Sequence, residues 1–213
     1  VNVSERLACG LASLGVGVGD RVLIYVHNSV EFVQCLYASF RVGAIVVPVN
    51  TRLTPKEIAY FVADSKPHAV IFDSNSRAAI ESFGDDLKAA RRIVIGESHA
   101  GEIRYEDLAQ TPLTQLAPIR CDATEAMIIY TSGTTGKPKG AVITHANVLV
   151  QHGYINAIEW GVGANDVFLV TTPLAHRTAQ GRLGNSLCLG GTLVIMEKFD
   201  PEVAVALIES EQV

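Results

Sequence analysis

Residues 126–140 read AMIIYTSGTTGKPKG. Ala126 to Thr131 has the pattern of a strand, apolar and without clean alternation, which suits a strand buried on both faces. The eleven residues from Tyr130 to Gly140 then hold four Ser/Thr hydroxyls, three glycines and two lysines flanking a proline. Glycines let backbone N–H groups approach an anion closely, hydroxyls add donors and a lysine adds charge. With a helix predicted to begin near Thr144, the order is strand, glycine-rich loop and helix, an arrangement that binds phosphate.

Spacing narrows the type of loop. A Walker A loop needs four residues between its glycines and then Lys-Ser/Thr, whereas Gly133 and Gly136 are separated by two and Lys137 is followed by Pro138. The dinucleotide fingerprint G-x-G-x-x-G fails because Thr131 stands two positions before Gly133. No G-x-S-x-G surrounds Ser132, so a hydrolase nucleophile is not indicated.

Outward from this segment, short β-branched runs alternate with helical patterns. Arg21 to Val26, Ala44 to Val47, Ala69 to Phe72, Arg92 to Ile95, Val167 to Thr171 and Thr192 to Met196 read as strands. Ser4 to Leu14, Val30 to Val42, Thr54 to Ala63, Ser76 to Ala90 with a break near Gly84, His145 to Trp160 and Thr178 to Leu189 read as helices. Thr54-Pro55 with Glu57 supplies a capped start, and Asp200-Pro201 opens a last helix. The expected class is α/β, with mainly parallel β-sheets flanked by helices. The polar stretch Gly96 to Thr124 is taken as the boundary between a first α/β lobe, 1–120, and a lobe carrying the loop, 121–213.

The 213 residues are 48% apolar and 18% charged, with 17 basic and 22 acidic groups and a formal net charge of −5. That charge, without a basic run, argues against nucleic acid or an anionic membrane surface as a partner. Cys9, Cys35, Cys121 and Cys188 show none of the close spacings of zinc or redox motifs, so reduced thiols in a cytoplasmic protein are expected. No run of about 20 apolar residues spans a bilayer. The chain starts at Val1 and stops within a helical pattern, and it reads as a piece of a longer protein. Low charge together with uncovered apolar faces leads us to expect self-association of the polypeptide as given.

YTSGTTGKPKG resembles, position by position, the signature loop of the adenylate-forming superfamily, which includes acyl-CoA synthetases, peptide-synthetase adenylation domains and luciferases. Gly19 to Val49 (GDRVLIYVHNSVEFVQCLYASFRVGAIVVPV) is similar to an early segment of that family. NTRLTPKEIAYFVADSKPHAVI looks like the acyl-CoA ligase continuation, and Thr172 to His176 (TPLAH) resembles the P-L-x-H segment near the carboxylate substrate. The resemblance implies part of the N-terminal domain of an acyl-CoA synthetase, an AMP-forming acid–thiol ligase of the kind used in fatty acid metabolism. It would convert a carboxylic acid and ATP to an acyl-adenylate and pass the acyl group to CoA.

By that resemblance Ser132, Gly133, Thr134, Thr135 and Gly136 wrap the β- and γ-phosphates. Lys139 contacts phosphate, and Thr131 helps to hold Mg²⁺. Lys139 and His176 are the catalytic candidates; His176 and Arg177 line the acyl pocket, while His145 is read as structural. Ala175 and Arg177 around the histidine, with Arg182 beyond, favour a polar or aromatic acid, or one carrying a second anionic group, over a long alkyl chain. The resemblance leaves room for a homodimer. It also leaves open a related adenylating enzyme with a carrier-protein or oxidative acceptor, and a non-catalytic truncated fragment. The family's adenine pocket, ribose-binding aspartate and C-terminal catalytic-lysine domain have no match before Val213, so the polypeptide as given is expected to be inactive alone.

Overall fold

Val22 and Ile24 point to one side of strand β1 (Arg21–Tyr25), Leu23 and Tyr25 to the other, and all four are buried. Two apolar faces on one strand require a layer on each side, which is why the strands read as continuous hydrophobic runs. The structure, a computed structural model, describes residues 2–117, 125–131 and 138–213.

β1 is the central strand of a seven-stranded sheet. On one side it pairs in parallel with β2 (Ile45–Pro48), and on the other with β3 (Ala69–Asp73). β3 pairs in parallel with β4 (Arg91–Ile95), and β4 with the two-residue β5 (Ile103–Arg104). The Val22 face is covered by α1 (Asn2–Ser13) and α2 (Val30–Arg41), with Leu7, Leu11, Phe32 and Leu36 in the core. The Leu23 face is covered by α3 (Pro55–Ser65) and α4 (Arg77–Glu81), through Ile58, Phe61 and Ile80.

The predicted cap of α3 forms. Thr54 Oγ1 accepts from the Glu57 N–H, and Glu57 Oε2 accepts from the Thr54 N–H at 2.9 Å. The break near Gly84 is a short 3₁₀ turn, Gly84–Leu87. The helical pattern around Glu102 is a single turn, α5 (Tyr105–Leu108).

The other edge of the sheet differs from the expected strand, loop and helix. β6 (Glu125–Thr131) joins β2 in parallel, but the residues after the loop form β7 (Lys139–Thr144), antiparallel to β6, before the helix begins at His145, as expected. Six residues that look like loop and helix approach are therefore an edge strand. Gly140 permits it: a Cβ there would lie 2.7 Å from Ile128 Cγ2, so a side chain would push β7 off its partner. β6 and β7 thus belong to the same seven-stranded sheet as β1 to β5.

From His145 the chain forms α6 (His145–Val148), a π-helical stretch (Leu149–Ile155) and α7 (Asn156–Trp160). A second sheet follows, in which β8 (Val167–Val170) pairs in parallel with β9 (Thr192–Ile195) through α8 (Arg177–Leu189); α9 (Pro201–Glu211) comes last. Val170, Leu174, Ala179 and Leu183 join the first core. Among the described residues no helix is long and apolar enough to cross a membrane. Cys9 and Cys35 are buried free thiols and Cys188 is half-buried, whereas Cys121 lies outside the described residues.

One side chain ties the two sheets together. The Asn28 amide, just past β1, donates to the Thr172 carbonyl at 2.9 Å and to the Met196 carbonyl at 3.0 Å. Its Oδ1 accepts from the Leu174 N–H at 2.6 Å. Asn28→Ala removes all three bonds and leaves partly buried backbone groups unpaired, so it is expected to lower the unfolding free energy by about 2–4 kcal/mol. Asn28→Asp should cost at least as much, since a carboxylate cannot donate to two carbonyls. Urea denaturation of both variants measures this, and a loss below about 0.5 kcal/mol for Asn28→Ala would show that the sheets are held elsewhere.

Candidate functional site

The stem of the glycine-rich loop is a β-hairpin. Tyr130 lies opposite Gly140 and Thr131 opposite Lys139, so the Thr131 hydroxyl and the Lys139 ammonium flank the mouth of the loop, both exposed. Ser132, Gly133, Thr134, Thr135 and Gly136, the predicted phosphate-wrapping residues, lie outside the described residues, as does Lys137.

The last anchored ring before the loop is Tyr130. It stacks on Phe61 with centroids 4.1 Å apart and an interplanar angle of 9°, and its hydroxyl donates to Asp64 Oδ2 at 2.6 Å. Burial, followed by the Asp64 carboxylate, pushes the Tyr130 phenol above its ordinary value, so it remains a neutral donor. Because β7 intervenes, the N-terminus of α6 is one strand length from the loop, about 17 Å for six residues. A helix dipole acts within its first turn, so α6 is too far away to contribute to anion binding at the loop.

A cleft of about 640 Å³ opens at the carboxyl ends of β1, β2, β8 and β9, where open α/β sheets place ligands. His27, Arg52, Thr172 and Lys198 line it. The Thr172 hydroxyl is buried and has no partner among the described residues. His27 is held by Asp73, whose Oδ2 lies 2.7 Å from both the backbone N and Nδ1 of His27. Asn28 fixes the Thr172–His176 segment along this wall, and sequence reasoning missed it. Its position between a buried strand and the helix cap Ser29 shows a polar turn residue and gives no sign of partners 144 residues away.

His176 is exposed and caps α8: its Nδ1 accepts from the Thr178 N–H at 3.3 Å. That bond places the proton of the neutral ring on Nε2, leaving Nε2–H for anything beside it. Arg177 is half-buried, with Nη1 3.2 Å from Nε2 of His152, a buried residue that sequence reasoning did not single out. Arg182 turns back along its own helix to the Thr178 carbonyl at 3.3 Å. His145 packs edge-on against Phe40 at 5.0 Å, and burial lowers its pKa. Among the described residues no group of three His, Cys, Asp or Glu side chains is arranged to hold a metal ion.

The cap separates two roles of His176. Asn is a good N-cap, so His176→Asn should leave stability nearly unchanged, while His176→Ala should cost about 1 kcal/mol. Thermal unfolding of the two variants checks this, and equal losses would show that the cap contributes nothing.

Residues 2–213 match the family described as AMP-binding enzyme. The chain is 32% identical over 218 residues to a long-chain-fatty-acid–CoA ligase of Mycobacterium tuberculosis, covering 99% of this chain and 41% of that protein. It is 32% identical over 212 residues to a feruloyl-CoA synthase of Amycolatopsis, covering 98% and 40%. The crystal structure of a long-chain-fatty-acid–CoA ligase from Archaeoglobus fulgidus superposes with a TM-score of 0.90 at 25% identity, covering 99% of this chain and 42% of that one. The chain thus spans about two fifths of the length of these relatives. With the hairpin-borne loop and the Asn28-held Thr172–His176 segment, this match over residues 2–213 shows that the chain belongs to the AMP-binding, adenylate-forming ligase family.

Proposed function

We propose that the chain is the N-terminal part of an acyl-CoA synthetase that activates a carboxylic acid with ATP and transfers the acyl group to CoA. The observation that carries this reading is the hairpin stem, which sets Thr131 and Lys139 opposite each other across the mouth of a loop rich in donors. Acyl-CoA ligases among the relatives support CoA as the acceptor. The buried free thiols of Cys9 and Cys35 support a cytoplasmic setting. Apolar side chains exposed on the 145–160 helix, among them Val150, Tyr154 and Trp160, support self-association as a homodimer.

In the first half-reaction a carboxylate oxygen bonds to the α-phosphorus of ATP as the bond from that phosphorus to the bridging oxygen breaks, and pyrophosphate leaves with the electron pair. In the second, the CoA sulfur, its thiol proton lost to solvent, bonds to the acyl carbon as the bond from that carbon to the AMP phosphate oxygen breaks, and AMP leaves with the electron pair. Charge builds on the departing pyrophosphate, and the loop N–H groups and hydroxyls with Lys139 are placed to stabilise it. Their stem is held by Tyr130 on Phe61 and Asp64, so little reorganisation is needed when the charge develops. His176, whose Nε2–H has no partner among the described residues, and Arg177 flank the acid.

Mg²⁺ fits this arrangement as an ion held mainly by the phosphates of ATP, with the Thr131 hydroxyl as the ligand offered at the loop among the described residues. When bound it would neutralise phosphate charge.

Arg177 favours an acid with a polar or second anionic group. In the natural full-length polypeptide that carries this chain, Lys139→Ala should lower ATP–pyrophosphate exchange by about 10²-fold with an unchanged melting temperature, Lys139 being exposed. Full exchange in that variant would remove Lys139 from the mechanism. On matched mono- and dicarboxylates, Arg177→Ala should reduce the preference for the dicarboxylate about tenfold, as expected for loss of a charge-assisted hydrogen bond. An unchanged preference would remove Arg177 from acid recognition.

A further inference from the structure

The helix pairing between residues 145–160 and α8 is built in reverse. His152, Asn156 and Asn185 are buried in the seam, while Val150, Tyr154, Ile158 and Trp160 face outward. Burying three polar side chains is costly unless each is satisfied, and here they satisfy one another. Asn185 Oδ1 lies 2.7 Å from Asn156 Nδ2 and 3.0 Å from His152 Nδ1, and Gln151 Nε2 donates to Asn156 Oδ1 at 3.1 Å.

Arg177 decides which way every proton in this network points. A guanidinium can only donate, so Nε2 of His152, 3.2 Å from Arg177 Nη1, must be the acceptor. The neutral ring then carries its proton on Nδ1. Asn185 must present its oxygen to that proton, Asn156 its nitrogen to the same oxygen, and Gln151 its nitrogen to Asn156. Reversing an amide would set donor against donor or acceptor against acceptor along the chain.

Space for the ring is made on the α8 side. A Cβ at Gly184 would lie 2.6 Å from His152 Cδ2, so glycine is required there for the imidazole to lie flat against the helix. On the other side His152 sits in the π-helical stretch, a device that re-aims side chains and is frequent at functional sites. Arg177 itself occupies the first position of α8, where the helix dipole disfavours a cation, so its placement does not serve helix stability.

We propose that His152 is a positioning residue for Arg177: its neutral Nε2 takes one guanidinium N–H, fixes the guanidinium at the start of α8, and leaves the other N–H groups to bind an anionic group on the acyl substrate. This rests on the reading of Thr172–Arg177 as the acyl-substrate pocket. The substrate class is then a carboxylic acid bearing a second anion. Arg177 is the charged group that faces the ring from α8; Asn185 on α8 is the uncharged hydrogen-bond partner, and Asn156 on its own helix brings its amide nitrogen to 3.3 Å from Nδ1. Burial, then the Arg177 charge, lowers the His152 pKa, with the Asn185 bond opposing. The ring is therefore neutral above that depressed value. As pH falls through it, protonation removes the acceptor and sets two cations side by side.

The test uses the natural full-length polypeptide and a matched pair of acids, one unsubstituted and one carrying a terminal sulfonate that stays ionised at low pH. His152→Phe should raise KM for the sulfonated acid about tenfold with kcat nearly constant, the effect of one charge-assisted hydrogen bond, and leave the unsubstituted acid unaffected. It should have no further effect in Arg177→Ala. His152→Gln, whose amide oxygen can accept from Arg177, should restore most of the loss. In the unmutated enzyme, KM for the sulfonated acid should rise as pH falls below the ordinary histidine range.

An equal loss for both acids, or a loss that persists in Arg177→Ala, overturns the proposal. ¹⁵N spectra of the His152 ring in the same polypeptide provide a readout independent of turnover. They should show an Nδ1-protonated neutral ring whose pKa rises in Arg177→Ala; an unchanged pKa overturns the coupling. If no carboxylic acid is activated at all, the ligase reading falls, and the ring spectra still decide whether His152 holds Arg177.

Discussion

Asn28 joins two sheets that do not otherwise share a strand. β8 and β9 form a two-stranded sheet, and a pair of strands is marginal by itself in water. It is attached by the apolar side of α8, through Ala179 and Leu183, and by the three hydrogen bonds of Asn28. The apolar contact supplies most of the free energy but little direction, since hydrophobic burial is indifferent to small slides. Hydrogen bonds of 2.6 to 3.0 Å to the Thr172 and Met196 carbonyls and the Leu174 N–H set the register. The cleft walls and the entry into α8, with His176 and Arg177, follow from that register.

A similar division of labour holds the stem of the glycine-rich loop. Tyr130 stacks on Phe61 and bonds to Asp64 on α3, while Gly140 lets β7 lie close against Ile128. The loop's stem is thus a hairpin at the sheet edge. An edge strand also explains why Val142 is exposed although β7 reads as apolar.

Much of the fold was legible in the sequence. Each strand read as a buried run is present, Thr54-Pro55 with Glu57 caps α3, and Asp200 accepts from the Glu202 and Val203 N–H groups at the start of α9. The loop motif indicated the family. Lys139–Thr144 was misjudged because a six-residue strand that follows a glycine-rich loop carries too short a pattern to be told from a helix approach. His152 and Asn28 were passed over for a different reason. A histidine on a helix and an asparagine after a strand are unremarkable locally, and what distinguishes them is a partner 25 and 144 or more residues away.

The sequence by itself determined the elements, their two-faced burial and the family motif of the glycine-rich loop, because periodicity, caps and donor density are properties of neighbouring residues. Tertiary structure alone decided three things: the antiparallel hairpin beneath the loop, the Asn28 clamp between the sheets, and the buried chain from Gln151 to Arg177. Each depends on which donor meets which acceptor once distant segments are brought together. A hydrogen bond requires its partner within about 3 Å, a condition that only the folded chain sets.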